Sequence, residues 1–74
     1  MVMNGTVTVV TGSLYRINIS GSLSAPVPRL TSACRLRMDS GLEQYLPPAV
    51  GDSVLCWFPG DAFRDGCIIG ILEG

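Results

Sequence analysis

A chain of 74 residues makes one small domain, residues 1–74, and a domain this short buries only about 60% of its unfolded surface. Its apolar fraction of 47% against 15% charged residues excludes a disordered polar chain and leaves apolar surface for other chains to cover. Five arginines, no lysine and six acids give a net charge of −1, which excludes the basic excess that nucleic-acid binding and membrane-surface binding both draw on.

Taken in chain order, short strands alternate with turn residues, and no stretch carries a helical period. Residues 5–10 (GTVTVV) alternate threonine and valine as a first strand, and Thr11-Gly12-Ser13 turns the chain. Residues 14–20 place Tyr15, Ile17 and Ile19 on one face and Arg16, Asn18 and Ser20 on the other, the signature of a half-buried strand. Pro26 and Pro28 each lack a backbone donor, so residues 21–32 read as an extended loop along a sheet edge. Residues 33–38 alternate Cys34, Leu36 and Met38 with Arg35 and Arg37, a third strand with a basic outer face opposite Glu43.

After the Asp39-Ser40-Gly41 turn, residues 42–46 read as either a short strand or one helical turn, ended by Pro47-Pro48. Residues 53–58 (SVLCWF) and 66–72 (GCIIGIL) complete the set. These two strands are apolar on both faces, which a sheet needs only when a second layer covers its outside. No helix is present to supply that layer, so a second copy is expected to do so, with Leu55, Trp57, Ile68 and Leu72 as the outward candidates. Five main strands without a helix predict an all-β fold, a small five-stranded OB-type barrel, since closure removes exposed edges.

Candidates for chemistry are few. Cys34, Cys56 and Cys67 have no metal-ligand spacing and no histidine beside them, so they read as free thiols with apolar neighbours, and no metal or cofactor is expected. Asp61, Asp65 and Glu73 read as turn and surface acids, and no nucleophile–base pair or phosphate loop stands out, so no enzyme is expected. Trp57, Phe58 and Phe63 read as packing aromatics in preference to base-stacking platforms. The start of the chain has no basic segment followed by an apolar one, and no apolar run is long enough to cross a bilayer. The chain is therefore expected to be made in the cytoplasm without a signal peptide and not to insert into a membrane.

Residues 47–72 read PPAVGDSVLCWFPGDAFRDGCIIGIL. A proline, a V-G-(D/E)-x-V-L segment, an apolar strand, a G-D turn and a final G-x-x-x-G follow one another here. They are carried by Pro47, Val50, Gly51, Asp52, Val54, Leu55, Phe58, Gly60, Asp61, Gly66 and Gly70. This resembles the OB domain of the phage baseplate assembly protein V family, the tail-spike proteins of contractile tails. It is also similar to the valine-glycine repeat proteins of type VI secretion. Gly51 and Gly60 suit positive φ, Asp52 and Asp61 suit bonds to nearby backbone N–H groups, and Gly70 inside a strand suits a bulge.

The resemblance implies a homotrimeric collar in the virion tail baseplate, held between a tail hub protein and a spike. Family members commonly carry a β-helical needle after the barrel. This chain ends two residues beyond its last predicted strand, so the spike is expected to be a separate protein. The metal-binding histidines of some spike tips have no counterpart in a chain without histidine. Docking is expected at the loops of residues 20–32, 39–41 and 59–65, with Pro26, Pro28, Arg29, Asp61, Phe63 and Arg64 as candidates. The other reading of the same fold is an OB module binding single-stranded nucleic acid or an oligosaccharide.

Overall fold

Alternation of apolar and polar residues, punctuated by tight turns, produces an all-β chain. The computed structural model describes residues 1–72; residues 73–74, including Glu73, and the side chains of Arg37 and Asp39 lie outside the described part. Seven strands follow in order: β1 (Val2–Thr11), β2 (Leu14–Ile19), β3 (Ser22–Leu23), β4 (Arg35–Asp39), β5 (Leu42–Leu46), β6 (Ser53–Trp57) and β7 (Cys67–Leu72). They form an antiparallel five-stranded sheet in the order β3-β2-β1-β6-β7 and a separate two-stranded hairpin, β4-β5.

The turns follow from their residues. Two-residue loops at Ser20-Gly21 and Ser40-Gly41 have positive φ at both positions, the pattern whose twist matches that of the flanking strands. Residues 42–46, open between strand and helical turn on sequence grounds, are the returning strand of the second of these hairpins. β1 starts three residues earlier than its alternation predicts, because Val2–Thr6 pair along the whole of β6.

The core lies on one face of the large sheet. Tyr15, Ile17 and Ile19 of β2 point into it with Val7 of β1 and Val54, Cys56 and Phe58 from β6 and the residue after it, as their alternation predicts. Gly5 faces inward between Val54 and Ile17, and any Cβ there would collide with the Ile17 side chain. Glycine is thus the residue that lets β1 and β2 approach this closely.

A bulge decides the inward residues of β7. Leu55 pairs with Gly70 but Cys56 pairs with Ile68, so Ile69 is an extra residue on β7. Ile68 and Ile71, three apart, therefore face the core together, and Ile68 is fully buried. The expectation that Ile68 faces outward with Leu72 is corrected here: the bulge changes the parity between them. The predicted irregularity at Gly70 is present, immediately beside that glycine.

Residues 22–30 run along the sheet edge as the two prolines require. Val27 and Tyr15 exchange both backbone bonds, at 2.8 and 2.9 Å. Immediately after Val27 the same segment meets β7, the outer strand on the far side: the Ile68 N–H donates to the Pro28 carbonyl at 2.9 Å and the Leu30 N–H to the Ile68 carbonyl at 2.8 Å. Ser24, fully buried, holds the segment to β2, its hydroxyl accepting from the Ile17 N–H and donating to the Ala25 carbonyl. One stretch of chain thus forms one edge of the five-stranded sheet, as β3 and its continuation along β2, and bonds to the other edge at β7.

The β4-β5 hairpin behaves differently from its sequence pattern. Its strands pack on each other and share no substantial contact with any other strand, and the molecule measures 43 × 21 × 20 Å. The radius of gyration is 12.3 Å, against about 11 Å for a compact chain of this length. Leu36 and Met38, whose alternation predicts an inner face, are 54% and 60% exposed. Glu43 is opposite Met38, not Arg35, and its carboxylate accepts from the Tyr45 hydroxyl, while Arg35 pairs with Asp52.

Candidate assembly surface

Outward positions of β1, β6 and β7 follow from the register. Val2, Trp57 and Cys67 form one row across the sheet, Asn4, Leu55 and Gly70 the next, and Thr6, Ser53 and Leu72 the third. Three of the four outward candidates, Leu55, Trp57 and Leu72, therefore share one face, with Val2 beside them. Trp57 is 42% exposed, Val2 and Leu72 are also exposed, and Leu55 is half-buried. A Cβ placed on Gly70 would meet nothing, so the face has a shallow notch beside Leu55. Ile68 takes no part, as described above.

The loop candidates divide. Pro26, Pro28, Asp61 and Arg64 are exposed. Arg29 folds back, its guanidinium donating to the Leu30 and Thr31 carbonyls at 3.3 and 3.2 Å. Arg64 stands 3.9 Å from Asp65 with both side chains in solvent, a pair of little energetic weight. Phe63 is not a free docking residue: its ring packs on Phe58 with centroids 5.4 Å apart and adds to the core from outside. The Ala25 N–H donates to the Phe63 carbonyl, which ties residues 59–65 to residues 20–32, whereas residues 39–41 lie at the tip of the β4-β5 hairpin. Gly60 does not take the positive φ expected of it; Asp65, later in the same loop, does.

Asp52 joins the hairpin to the sheet. Its carboxylate accepts from the Ala49 N–H at 2.8 Å and pairs with Arg35 at the start of β4. Its backbone carbonyl accepts from the Val7 N–H, and Gly51, at the predicted positive φ, donates to the Val7 carbonyl. The Ala49 bond, followed by the Arg35 charge and working against partial burial, holds the Asp52 carboxyl below its ordinary value of 3.8. A folded value below the unfolded one means that this stabilisation is complete above the ordinary value and lost as the pH falls through the folded value. Asp52→Ala is expected to lower stability by about 1 kcal/mol at neutral pH, the scale of one hydrogen-bonded charge. Urea midpoints should show the gap to wild type narrowing as the pH falls below 3.8; a gap that keeps its size in acid would assign the loss to packing instead.

For chemistry the described residues offer little. The three cysteines are free, and burial, with Cys67 nearby, pushes the Cys56 thiol up to about 11, leaving it protonated at neutral pH. Among the described residues no three His, Cys, Asp or Glu side chains are placed to hold a metal ion, and no helix is long and apolar enough to cross a membrane. An open cleft between the β1-β2 turn and Arg29 is lined by Ser13, Tyr15, Pro28 and Thr31 and contains no carboxylate.

The exposed apolar side chains of the β4-β5 hairpin (Leu36, Met38 and Tyr45) are part of the candidate surface that sequence reasoning missed. Their alternation is the same as that of a half-buried strand, and only the missing third strand distinguishes the two cases. Comparison with protein-family models, with curated proteins and with solved structures finds no match to this chain.

Proposed function

We propose that this chain is a structural, non-enzymatic subunit of a phage or phage-like tail baseplate. In this reading it is a small OB-type barrel that forms a homotrimeric collar and links the tail hub to a separate spike protein. The observation that carries the proposal is the outward apolar face of Val2, Leu55, Trp57 and Leu72, which no layer among the described residues covers. Two features support the barrel. The segment of residues 22–30 continues one edge of the sheet along β2 and bonds to the other edge at β7, and bulges at Thr8 of β1 and Ile69 of β7 interrupt the ladders as strand bending requires. The resemblance in residues 47–72 supports the tail assignment: Gly51 has the positive φ and Asp52 the backbone bond that its pattern suits, and the β7 bulge lies beside Gly70.

Light scattering on the purified chain is expected to give the mass of three copies, and gold-labelled antibody should decorate the distal end of tail particles from a producing cell. Unlabelled tails would sink the assignment. Submicromolar binding of single-stranded DNA with a steep salt dependence would instead favour the binding-module reading.

A further inference from the structure

We propose that the β4-β5 hairpin of one copy lies across the outer β1-β6-β7 face of the next, so that copies join head to tail. This rests on the trimeric reading and deepens it by naming the two surfaces that meet.

The hairpin is an arm that lacks a layer. A lone two-stranded hairpin is marginal in water. This one turns Leu36, Met38 and Tyr45 to a single face at 54%, 60% and 65% exposure. The receiving face on the body carries Val2, Leu55, Trp57 and Leu72 around the Gly70 notch. Both surfaces are bare in one molecule, so the arm does not cover its own body.

Area favours a second copy in this arrangement. At roughly 150–250 Å² for a large side chain taken fully out of water, the arm's three residues offer roughly 350 Å² of apolar surface and the body face roughly 300 Å². A head-to-tail contact makes every copy bury both. With apolar area about three-fifths of a typical interface, each arm-on-face contact buries roughly 1,100 Å² over its two partners together, just above the roughly 1,000 Å² total that a specific interface needs. A twofold contact of arm on arm would leave the body face bare. Two different surfaces meeting head to tail close into a ring of three when each contact rotates the next copy by a third of a turn. Polar complementarity points the same way: the arm's face carries Glu43, while the receiving face has no acid among the described residues and is bordered by Asn4, Thr6 and Ser53, all able to donate hydrogen bonds.

Two half-defective variants test the pairing. Leu36→Asp with Tyr45→Asp spoils the arm, and Leu55→Asp spoils the face. Each alone is expected to run as a monomer by light scattering at a concentration where the wild type is trimeric. Mixed in equal amounts they should form a one-to-one dimer, because one intact arm and one intact face remain. If either variant alone keeps the wild-type mass, or the mixture stays monomeric, the arm-to-face contact is wrong even though the trimer stands. A monomeric wild type would remove the trimeric reading itself. Should an aspartate variant lose its cooperative urea transition, the serine versions at the same positions carry the same test.

Discussion

Gly66→Ala is expected to lower the melting temperature by roughly 10–20 °C. Gly66 is buried just before β7, and a Cβ there would strike the Trp57 carbonyl and the Phe58 ring. The first obstacle is backbone, in the strand that pairs with β7 through Trp57 and Cys67, so it cannot rotate away. Overpacking of this kind costs about 2–3 kcal/mol, and each kcal/mol lowers the melting point of a domain this size by about 4–8 °C. Total stabilities are only about 0.05–0.15 kcal/mol per residue, so a large share is lost. Gly70→Ala is the control: its Cβ meets nothing within the chain, and the melting point of the single chain should stay close to the wild type. Equal melting points for Gly66→Ala and Gly70→Ala would mean that the strand ends are looser than their register implies.

Ile68→Asp is expected to abolish folding outright. Ile68 is fully buried between β6 and the segment of residues 22–30, and both its backbone groups bond to that segment. The substitution removes a buried side chain worth about 1.5–3 kcal/mol and buries a charge without a partner, at several kcal/mol more. Together these exceed what a chain of this length has to lose. Leu72→Asp, on the outward face, should leave the urea transition of the single chain within about 0.5 kcal/mol of wild type. The pair tests the bulge directly. Without an extra residue at Ile69, positions 68 and 72 would share a face and the two variants would behave alike.

Most of the strands and their faces were legible in the sequence, because a period of two is a local property. Tyr15, Ile17 and Ile19, and again Val54, Cys56 and Phe58, are the buried members of their strands just as their alternation states. Turn chemistry was equally readable at Gly51 and Asp52, where glycine tolerates the φ and a short carboxylate reaches a neighbouring N–H. So was the extended path of residues 22–30, set by two prolines that cannot donate.

What tertiary structure decided was where each face ends up. Bulges at Thr8 and Ile69 shift the parity of a strand; Gly70 marks the second, but which residue is the extra one is set by pairing with β6, and that moves Ile68 from the outside to the core. Phe63 leaves its loop because Phe58, five residues earlier, offers a ring to pack against. Gly5 and Gly66 are needed only because another strand or ring passes within a methyl's reach, and such proximity joins residues far apart in the chain or around a turn. The largest difference is at Leu36, Met38 and Tyr45. Alternation specifies that these residues share an apolar face, but the burial of that face depends on a third strand or a second layer supplied by distant residues, and the fold places none there.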